Sequence, residues 1–302
     1  MNVVSPSKVV GKRVLVTGAS GFTGRYVTNQ LQAEGWEVVQ LSPTGTATSS
    51  SVNLLNRDAL REALQFLQPH AVIHLAAISF VAHGDAEEIY RVNIVGTRNL
   101  LEALGELPVP PLHILLASSA NVYGNVGGVL DEQASLFPQN DYAISKMAME
   151  SMAKLWTDRL PITIVRPFNY TGLGQSERFL IPKIVSHFKR RAEVIELGNL
   201  DVSRDFYDVR HVAQLYGRLL TLPAAGEVYN VCSGVEWSLE QVIDTLRDLS
   251  GHAIEVRINP NFVRANEVKS LRGSNEKLKS ALNTLPEFDF SSTLTWMYGA
   301  IP

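Results

Sequence analysis

Residues 17–24 read Thr17-Gly18-Ala19-Ser20-Gly21-Phe22-Thr23-Gly24, and this stretch decides the fold. It follows an apolar run at residues 14–16 and precedes an amphipathic segment at 23–34 and a second apolar run at 38–41, which together form a βαβ pattern. Glycines at every third position permit a tight turn and let helix N–H groups approach a pyrophosphate. The stretch therefore predicts a dinucleotide-binding loop, whose expected contacts are Gly18, Ser20, Gly21, Phe22, Thr23 and Gly24.

The same alternation continues through the first half of the chain. Apolar strand patterns at residues 71–75, 113–117 and 162–165 are separated by helical patterns at 86–104 and 142–156. Strands that alternate with helices predict an α/β fold with a doubly wound parallel sheet of the Rossmann type.

After about Asn169 the alternation ends, and short patterns of both kinds follow, at residues 181–191, 228–231 and 254–258. We therefore expect a Rossmann domain at residues 1–169. Residues 170–302 are expected to form mainly a smaller C-terminal α/β substrate-binding lobe, with some chain returning to the main sheet.

Composition excludes several classes of function. The 302 residues carry a net charge of −3, which gives no basic surface for nucleic acid or anionic membranes. Cys232 is the only cysteine, so an intrachain disulfide and a cysteine-based zinc site are excluded, and no metal is expected. The sequence also lacks a signal-peptide run and an apolar stretch of membrane-spanning length, so we expect a cytoplasmic protein.

The choice between NADPH and NADH depends on the end of the second strand, Gln40-Leu41-Ser42. An acidic residue there would bind the ribose diol of NADH, and none is present. Arg25 is a nearby cation in the sequence, although a solvated helix residue is its alternative role. The pattern favours NADPH slightly and leaves NADH open, with Ser42 as a predicted contact.

Further cofactor contacts are predicted along the sheet edge. Asn53 is a candidate for the adenine, with a turn or capping role as the alternative. His74 is expected to be a packed strand residue, and the small residues after it let the backbone approach the cofactor. The other predicted contacts are Leu54, Leu75, Ala76, Ala77 and Asn93.

A catalytic group is indicated by Tyr142 and Lys146, which lie four apart at the start of a predicted helix and so share a face. A phenol with a pKa of about 10 is a weak proton donor and acceptor at neutral pH, but the adjacent ammonium of Lys146 favours the phenolate. Ser119 follows a strand at the sheet edge where ligands bind, and its hydroxyl is positioned to polarise a reacting carbonyl. A surface Tyr/Lys pair and a loop-binding serine are the alternatives.

These residues resemble the extended short-chain dehydrogenases/reductases, the NAD-dependent epimerase/dehydratase family. The resemblance assigns Ser119, Tyr142 and Lys146 as the catalytic triad. Sugar-nucleotide dehydratases of the family carry an acidic pair after the catalytic Thr, whereas this chain has Ala120 and Asn121. The resemblance therefore implies ketone reduction or epimerisation.

The second half resembles GDP-4-dehydro-6-deoxy-D-mannose reductases, through residues 166–169, 172–175, 204–209, 228–234, 264–267 and 271–274. This implies contacts of Asn169, Arg204 and Arg264 with the sugar nucleotide. Salt bridges are the alternative, of Arg204 with Asp205 or Asp208 and of Arg264 with Glu267. Tyr170 and Leu173 depart from the pattern. The predicted substrate set is Ser119, Asn121, Asn169, Arg204, Arg264 and Glu267.

The expected reaction is reduction by NAD(P)H of the C4 ketone of a GDP-4-keto-6-deoxyhexose, giving GDP-D-rhamnose or its C4 epimer GDP-6-deoxy-D-talose. A nucleotide-sugar 4-epimerase that retains NAD is the alternative, followed by a non-catalytic dinucleotide sensor. The resemblance also implies a homodimer formed through the helical segments at 86–104 and 142–156.

Overall fold

The computed structural model describes residues 12–42, 49–79, 85–263 and 268–300, without the side chains of residues 42 and 49–51. Its described strands are, in chain order, β1 (Arg13–Thr17), β2 (Glu37–Ser42), β3 (Ser49–Ser51), β4 (Ala71–His74), β5 (His113–Ala117), β6 (Gly128–Leu130), β7 (Ile162–Pro167), β8 (Asn169–Thr171), β9 (Val194–Leu197), β10 (Ser203–Asp208), β11 (Val228–Val231), β12 (Glu236–Ser238), β13 (Glu255–Ile258) and β14 (Ser270–Gly273).

The described α-helices are α1 (Phe22–Ala33), α2 (Arg57–Leu67), α3 (Ala86–Tyr90), α4 (Thr97–Gly105), α5 (Asp141–Lys154), α6 (Leu180–Lys189), α7 (Val209–Leu219), α8 (Leu239–Ser250), α9 (Glu276–Leu282) and α10 (Phe290–Gly299). Between α3 and α4 the chain forms a π-helical segment, Arg91–Gly96. Short 3₁₀ turns occur at Ala120–Tyr123 and Pro260–Phe262.

The largest sheet of the described structure has seven strands in the order β11-β7-β5-β4-β1-β2-β3. Val14 pairs in parallel with Val38 on one side and with Ala71 on the other. Its central strands are mostly apolar and buried, as a sheet covered by helices on both faces requires. The predicted Rossmann fold is therefore confirmed.

Three helix starts in this sheet-and-helix layer are fixed by side-chain caps. Asn56 accepts from the Ala59 N–H at the start of α2, and Asn140 accepts from the Ala143 N–H at the start of α5. Such caps satisfy an N–H group that the helix itself leaves without a partner. The cap at Asn140 fixes where the helix carrying Tyr142 begins. Asp85 caps α3 in the same way.

The chain divides into two compact units that are interleaved along the sequence. The first contains the described residues up to Val122 together with Asn140–Val165 and Ala213–Val228; the second contains Tyr123–Gln139, Arg166–Val212 and the chain from Tyr229. We expected a change of domain after residue 169, with some chain returning to the main sheet.

Strand pairing and backbone hydrogen bonds hold the interleaved segments in their units. In the second unit β6 pairs with β14, which holds Tyr123–Gln139 there. In the first unit the N–H of Gly226 donates to the Ile162 carbonyl, and the N–H of Ile164 donates to that of Glu227. Strand β11 is the edge strand of the seven-stranded sheet, next to β7.

The second unit is a smaller α/β assembly. A sheet runs in the order β12-β10-β14-β6, β8 pairs with β10, and β13 pairs with β9 in a separate ribbon. An apolar cluster includes the buried side chains of Ile184, Phe188, Leu246 and Leu294.

No helix within the described ranges combines the length and the apolar character needed to cross a bilayer.

Candidate active site

The glycine loop between β1 and α1 is built by close backbone contacts. Gly18 has φ +71°, a region that favours glycine, and a Cβ there would lie 2.8 Å from the Ala76 nitrogen. A Cβ on Gly24 would overlap the Gly18 carbonyl and Ala19, so this glycine lets α1 pack on the loop. A Cβ on Gly21 would meet only the Gly18 oxygen, at 3.2 Å. The packing of the loop thus requires glycine at residues 18 and 24, whereas the space around Gly21 is open apart from the Gly18 oxygen.

The start of α1 is suited to an anion. Its N-cap is Gly21, no described side chain caps the helix, and its first turn contains no acidic residue. The positive end of the helix dipole therefore faces the loop. The loop and the helix start together fit the pyrophosphate of a dinucleotide.

A chain of buried hydrogen bonds fixes the end of β4 beside this loop. Thr97 Oγ1 donates to the Asn93 carbonyl oxygen at 2.8 Å, so it accepts from His74 Nε2, also at 2.8 Å. His74 Nδ1 is then the acceptor for Thr17 Oγ1 at 2.7 Å, and Thr17 accepts from the Ala76 N–H at 3.2 Å. Each threonine hydroxyl thus donates once and accepts once, which places the proton of the His74 ring on Nε2.

His74 is neutral in this arrangement. Burial lowers the pKa of His74 to about 3, and the positive charge of Lys146 acts in the same direction. A histidine with this pKa does not exchange protons near neutral pH. It is the packed strand residue that the sequence indicated, and it positions the backbone at Ala76.

The π-helical segment carries a second anchor, Asn93, which is buried. Its side-chain oxygen accepts from the Ile78 N–H at 2.9 Å, and its amide nitrogen donates to the Ile78 carbonyl at 3.1 Å and to Ser145 Oγ at 3.0 Å. Ser145 in turn donates to the Tyr142 carbonyl at 2.7 Å. Both amide hydrogens are used within the protein, so the geometry favours a positioning role over the predicted cofactor contact.

Ser119 lies just beyond β5 and is buried. The backbone N–H and the side-chain amide of Asn121 both donate to Ser119 Oγ, at 3.2 and 3.0 Å. Because the serine oxygen already accepts twice, its own hydrogen is available for a third group. The side-chain amide of Asn121 donates to the serine oxygen, which leaves the serine hydroxyl to act as a donor. A carboxylate at residue 121 could not donate to the serine in this way.

Tyr142 and Lys146 lie in the first two turns of α5, and both are buried. Lys146 Nζ donates to the Ala117 carbonyl at 2.7 Å and lies 6.0 Å from the centroid of the Tyr142 ring. Burial lowers the pKa of Lys146 to about 8, and Glu150 opposes this shift. The lysine is therefore bound to the last residue of β5, two residues before Ser119, and lies beside the tyrosine.

Glu150 continues the same face of α5 one turn further on. It is 1% exposed, and Ser118 Oγ donates to its carboxylate at 2.5 Å. Sequence reasoning did not single out Glu150. The spacing of Tyr142, Lys146 and Glu150, each four residues apart, was the available signal.

In the second unit, Asn169 begins β8 and is exposed, and Arg204 lies in β10. Arg204 donates to the Ser203 carbonyl at 2.8 Å. The neighbouring carboxylates have other partners. Asp205 accepts from the N–H and Oγ of Ser233 and from the Gly234 N–H. Asp208 pairs with Arg210 at 2.6 Å.

The sequence profile of the NAD dependent epimerase/dehydratase family matches residues 14–232, which include the glycine loop and the three catalytic candidates. The chain belongs to this family. It is therefore an enzyme that uses a nicotinamide dinucleotide.

Two curated relatives are similar over nearly their whole length. GDP-6-deoxy-D-talose 4-dehydrogenase from Aggregatibacter actinomycetemcomitans is 34% identical over 281 residues, covering 93% of this chain and 94% of the relative. GDP-6-deoxy-D-mannose reductase from Pseudomonas aeruginosa is 34% identical over 297 residues, covering 94% and 95%.

Two solved structures are similar in fold. A protein from Burkholderia cenocepacia J2315 matches with a TM-score of 0.92 and 50% identity, covering 96% of this chain and 97% of that one. RMD from Pseudomonas aeruginosa complexed with NADPH matches with a TM-score of 0.84 and 34% identity, covering 95% and 96%.

The other predicted cofactor contacts lie at the start of the chain segment before α2 and just after β4. Asn53 is exposed, and its side chain accepts from the Leu55 N–H at 2.9 Å, which is the turn role given above as its alternative. Leu54 is buried in the core, and its carbonyl accepts from Asn99. The backbone at residues 75–77 follows β4 beside Gly18.

Three predicted contacts lie wholly or partly outside the described residues. Ser42 ends β2, but its side chain is not described, and Arg264 and Glu267 are outside the described ranges. Their predicted roles stay predictions. Ser20 is exposed in the glycine loop, as a ligand contact requires.

Proposed function

We propose that this enzyme reduces the C4 ketone of a GDP-4-keto-6-deoxyhexose with a reduced nicotinamide dinucleotide. The observation that carries the proposal is the arrangement of Ser119, Tyr142 and Lys146, with an amide at Asn121 holding the serine as a donor. The two curated relatives, whose names specify GDP-linked 6-deoxyhexoses, support the choice of substrate.

The mechanism assigns each group one task. The reduced nicotinamide supplies the hydride for C4. Tyr142 donates the proton to the carbonyl oxygen, while Ser119 donates a hydrogen bond to the same oxygen. Lys146 uses one hydrogen for the Ala117 carbonyl and has two others with which to orient the nicotinamide ribose.

NADPH is the proposed cofactor, with NADH as the second choice. No carboxylate stands at residues 40–42, and Arg25 is an exposed residue of the first turns of α1. A carboxylate there would repel the 2′-phosphate. The complex of a relative with NADPH supports the same choice. The pyrophosphate would be held by the loop from Gly18 to Gly24 and the start of α1.

The nucleotide sugar is proposed to contact Asn121, Asn169, Arg204, Arg264 and Glu267 in addition to the triad. Arginine suits this role because its planar guanidinium binds phosphate oxygens in pairs. The names of the two relatives specify GDP-sugars that differ in configuration at C4, and both relatives are 34% identical to this chain. The proposed product is therefore either GDP-D-rhamnose or GDP-6-deoxy-D-talose.

A homodimer in the cytoplasm completes the proposal. Val95, Ile144 and Leu155 are apolar, and all three are exposed on the helices that the family resemblance assigns to the dimer interface. The single cysteine suits a reducing compartment. Sedimentation velocity measures the oligomeric state.

The deciding experiment mixes the purified protein with GDP-4-keto-6-deoxy-D-mannose and either NADPH or NADH. We expect loss of the reduced-cofactor absorbance and a large fall in rate for Tyr142→Phe. Proton NMR of the product then fixes the configuration at C4. Absence of cofactor oxidation by the wild-type protein would reject the reductase in favour of the 4-epimerase, which returns the hydride to its own substrate.

A further inference from the structure

Ser145 makes two hydrogen bonds with one buried oxygen, one within its helix and one outside it. Its hydroxyl donates to the Tyr142 carbonyl one turn earlier in α5, and the same oxygen accepts from the Asn93 side-chain amide. Bonds of the first kind are common on helices, as at Ser151, whose exposed hydroxyl donates to the Met147 carbonyl. Ser145 differs because its side chain is fully buried and its oxygen is also joined to the helical segment that precedes α4.

Asn93 extends this connection to the segment that follows β4. Its side chain accepts from the Ile78 N–H and donates to the Ile78 carbonyl, so it pairs with that backbone as a residue of a neighbouring strand would. Its own backbone carbonyl accepts from Thr97, which accepts from His74 at the end of β4. The predicted cofactor contacts at residues 75–77 lie between these two points of attachment.

Ketone reduction depends on the distance between these elements. The hydride goes to C4 and the proton to the oxygen bonded to it, so the dinucleotide and Tyr142 must reach two adjacent atoms. A misplacement of about 1 Å between reacting groups can lower a rate by roughly 100-fold. The bonds through Asn93 and Ser145 join the segment proposed to hold the dinucleotide to the helix that carries the tyrosine.

We propose that Asn93 and Ser145 are positioning residues, which together fix the place of Tyr142 relative to the cofactor-binding backbone at residues 75–78. Both side chains act through the tyrosine and not on the substrate. The catalytic consequence rests on the proposed function, whereas the connection from Asn93 to the Tyr142 carbonyl does not.

The kinetic test compares Ser145→Ala with Ser151→Ala, which removes a hydroxyl of the same kind from an exposed position on α5. Ser145→Ala should lower kcat for ketone reduction about tenfold or more and leave the KM for NADPH within about twofold of the wild-type value. Ser151→Ala should match the wild-type enzyme in both constants. An unchanged kcat in Ser145→Ala would overturn the proposal.

A double-mutant cycle with Tyr142→Phe separates positioning from a general loss of structure. If Ser145 acts through the Tyr142 hydroxyl, its replacement should have little further effect on a protein that already lacks that hydroxyl. Single-turnover rates at high enzyme concentration give the slow values in the Tyr142→Phe background. A general structural loss would lower the rate by the same factor in both backgrounds, and equal factors would therefore overturn the positioning role.

A measurement without substrate follows the Tyr142 carbonyl directly. Tyr142-Ala143 is the only Tyr–Ala pair in the sequence, so protein made with ¹³C-carbonyl tyrosine and ¹⁵N-alanine gives a single NMR signal for this carbonyl. Asn93→Ala should move that signal by changing the bond that reaches it. Asn99→Ala is the matched control and should leave the signal in place, because the buried Asn99 amide donates to the Leu54 carbonyl. The same signal in Asn93→Ala and the wild-type protein would overturn the connection.

Ser145→Ala covers the case in which Asn93→Ala does not fold. It removes the bond to the Tyr142 carbonyl itself and introduces a residue that favours helices. The carbonyl signal should move in this variant too, and an unmoved signal would overturn the proposal. An inactive wild-type protein would reject the proposed reaction, while the NMR comparison would still decide the connection.

Discussion

Replacement of Thr97 by valine isolates the contribution of the hydrogen-bond chain through His74. Valine matches threonine in shape but has no hydroxyl. The substitution removes the acceptor of the His74 Nε2–H and the donor to the Asn93 carbonyl, both at a buried site. A buried donor without a partner costs about 1–3 kcal/mol of stability.

Thr295→Val is the matched control. Thr295 Oγ1 donates to the Ser291 carbonyl, four residues earlier in its helix and at 2.8 Å, as Thr97 does to Asn93. Thr295 is exposed and does not contact a histidine in this way. We therefore expect a change within about 0.5 kcal/mol, typical of a surface substitution.

Urea denaturation followed by far-UV circular dichroism at neutral pH measures the free energy of unfolding of both variants. Thr97→Val should be the less stable by about 1–3 kcal/mol, and it should bind NADPH more weakly because Ala76 and the glycine loop lose their anchor. Equal losses in the two variants would show that the His74 chain does not contribute, and would refute the tautomer assigned above.

Two further predictions concern the same region. Gly18→Ala should destabilise the fold by about 1–3 kcal/mol, because of the positive φ at this position and the contact with Ala76. Gly21→Ala should nearly preserve the melting temperature but weaken NADPH binding roughly tenfold, as measured by fluorescence titration. A similar melting temperature for both variants would contradict this prediction. The folded-state pKa of His74 lies below its unfolded value near 6.5, so its stabilising effect is complete above pH 6.5 and declines as the pH falls toward 3. The stability advantage of the wild-type protein over His74→Gln should then shrink by about 1.4 kcal/mol per pH unit below 6.5 in urea titrations, and a constant difference would contradict the neutral histidine.

Local patterns accounted for much of the fold. The glycine loop and the alternating strands were readable because each depends on residues close together in sequence. The helical pattern at 86–104 predicted the right element, but its π-helical interruption depends on Asn93 reaching Ile78 and Ser145. Such tertiary contacts leave no periodic signal.

The site divides in the same way. The serine, tyrosine and lysine were predicted from spacing and strand position, and the structure brings Lys146 to Ala117, two residues before Ser119. The partners of His74 and Glu150 were not predictable, because hydrogen bonds between strands and helices distant in sequence decide them. Asn53 fulfils the local turn role that its residue type favours.

The interleaving of the two units affects how this protein can be cut and recombined. Tyr123–Gln139 stands between Asn121 and Tyr142 in the chain, yet its strand β6 pairs with β14, about 140 residues later. A fragment ending at residue 169 would leave β6 without its neighbour and the main sheet without β11. Chimeras that exchange substrate preference between relatives should therefore transfer residues 123–139 together with β14, because these paired strands would otherwise come from different relatives.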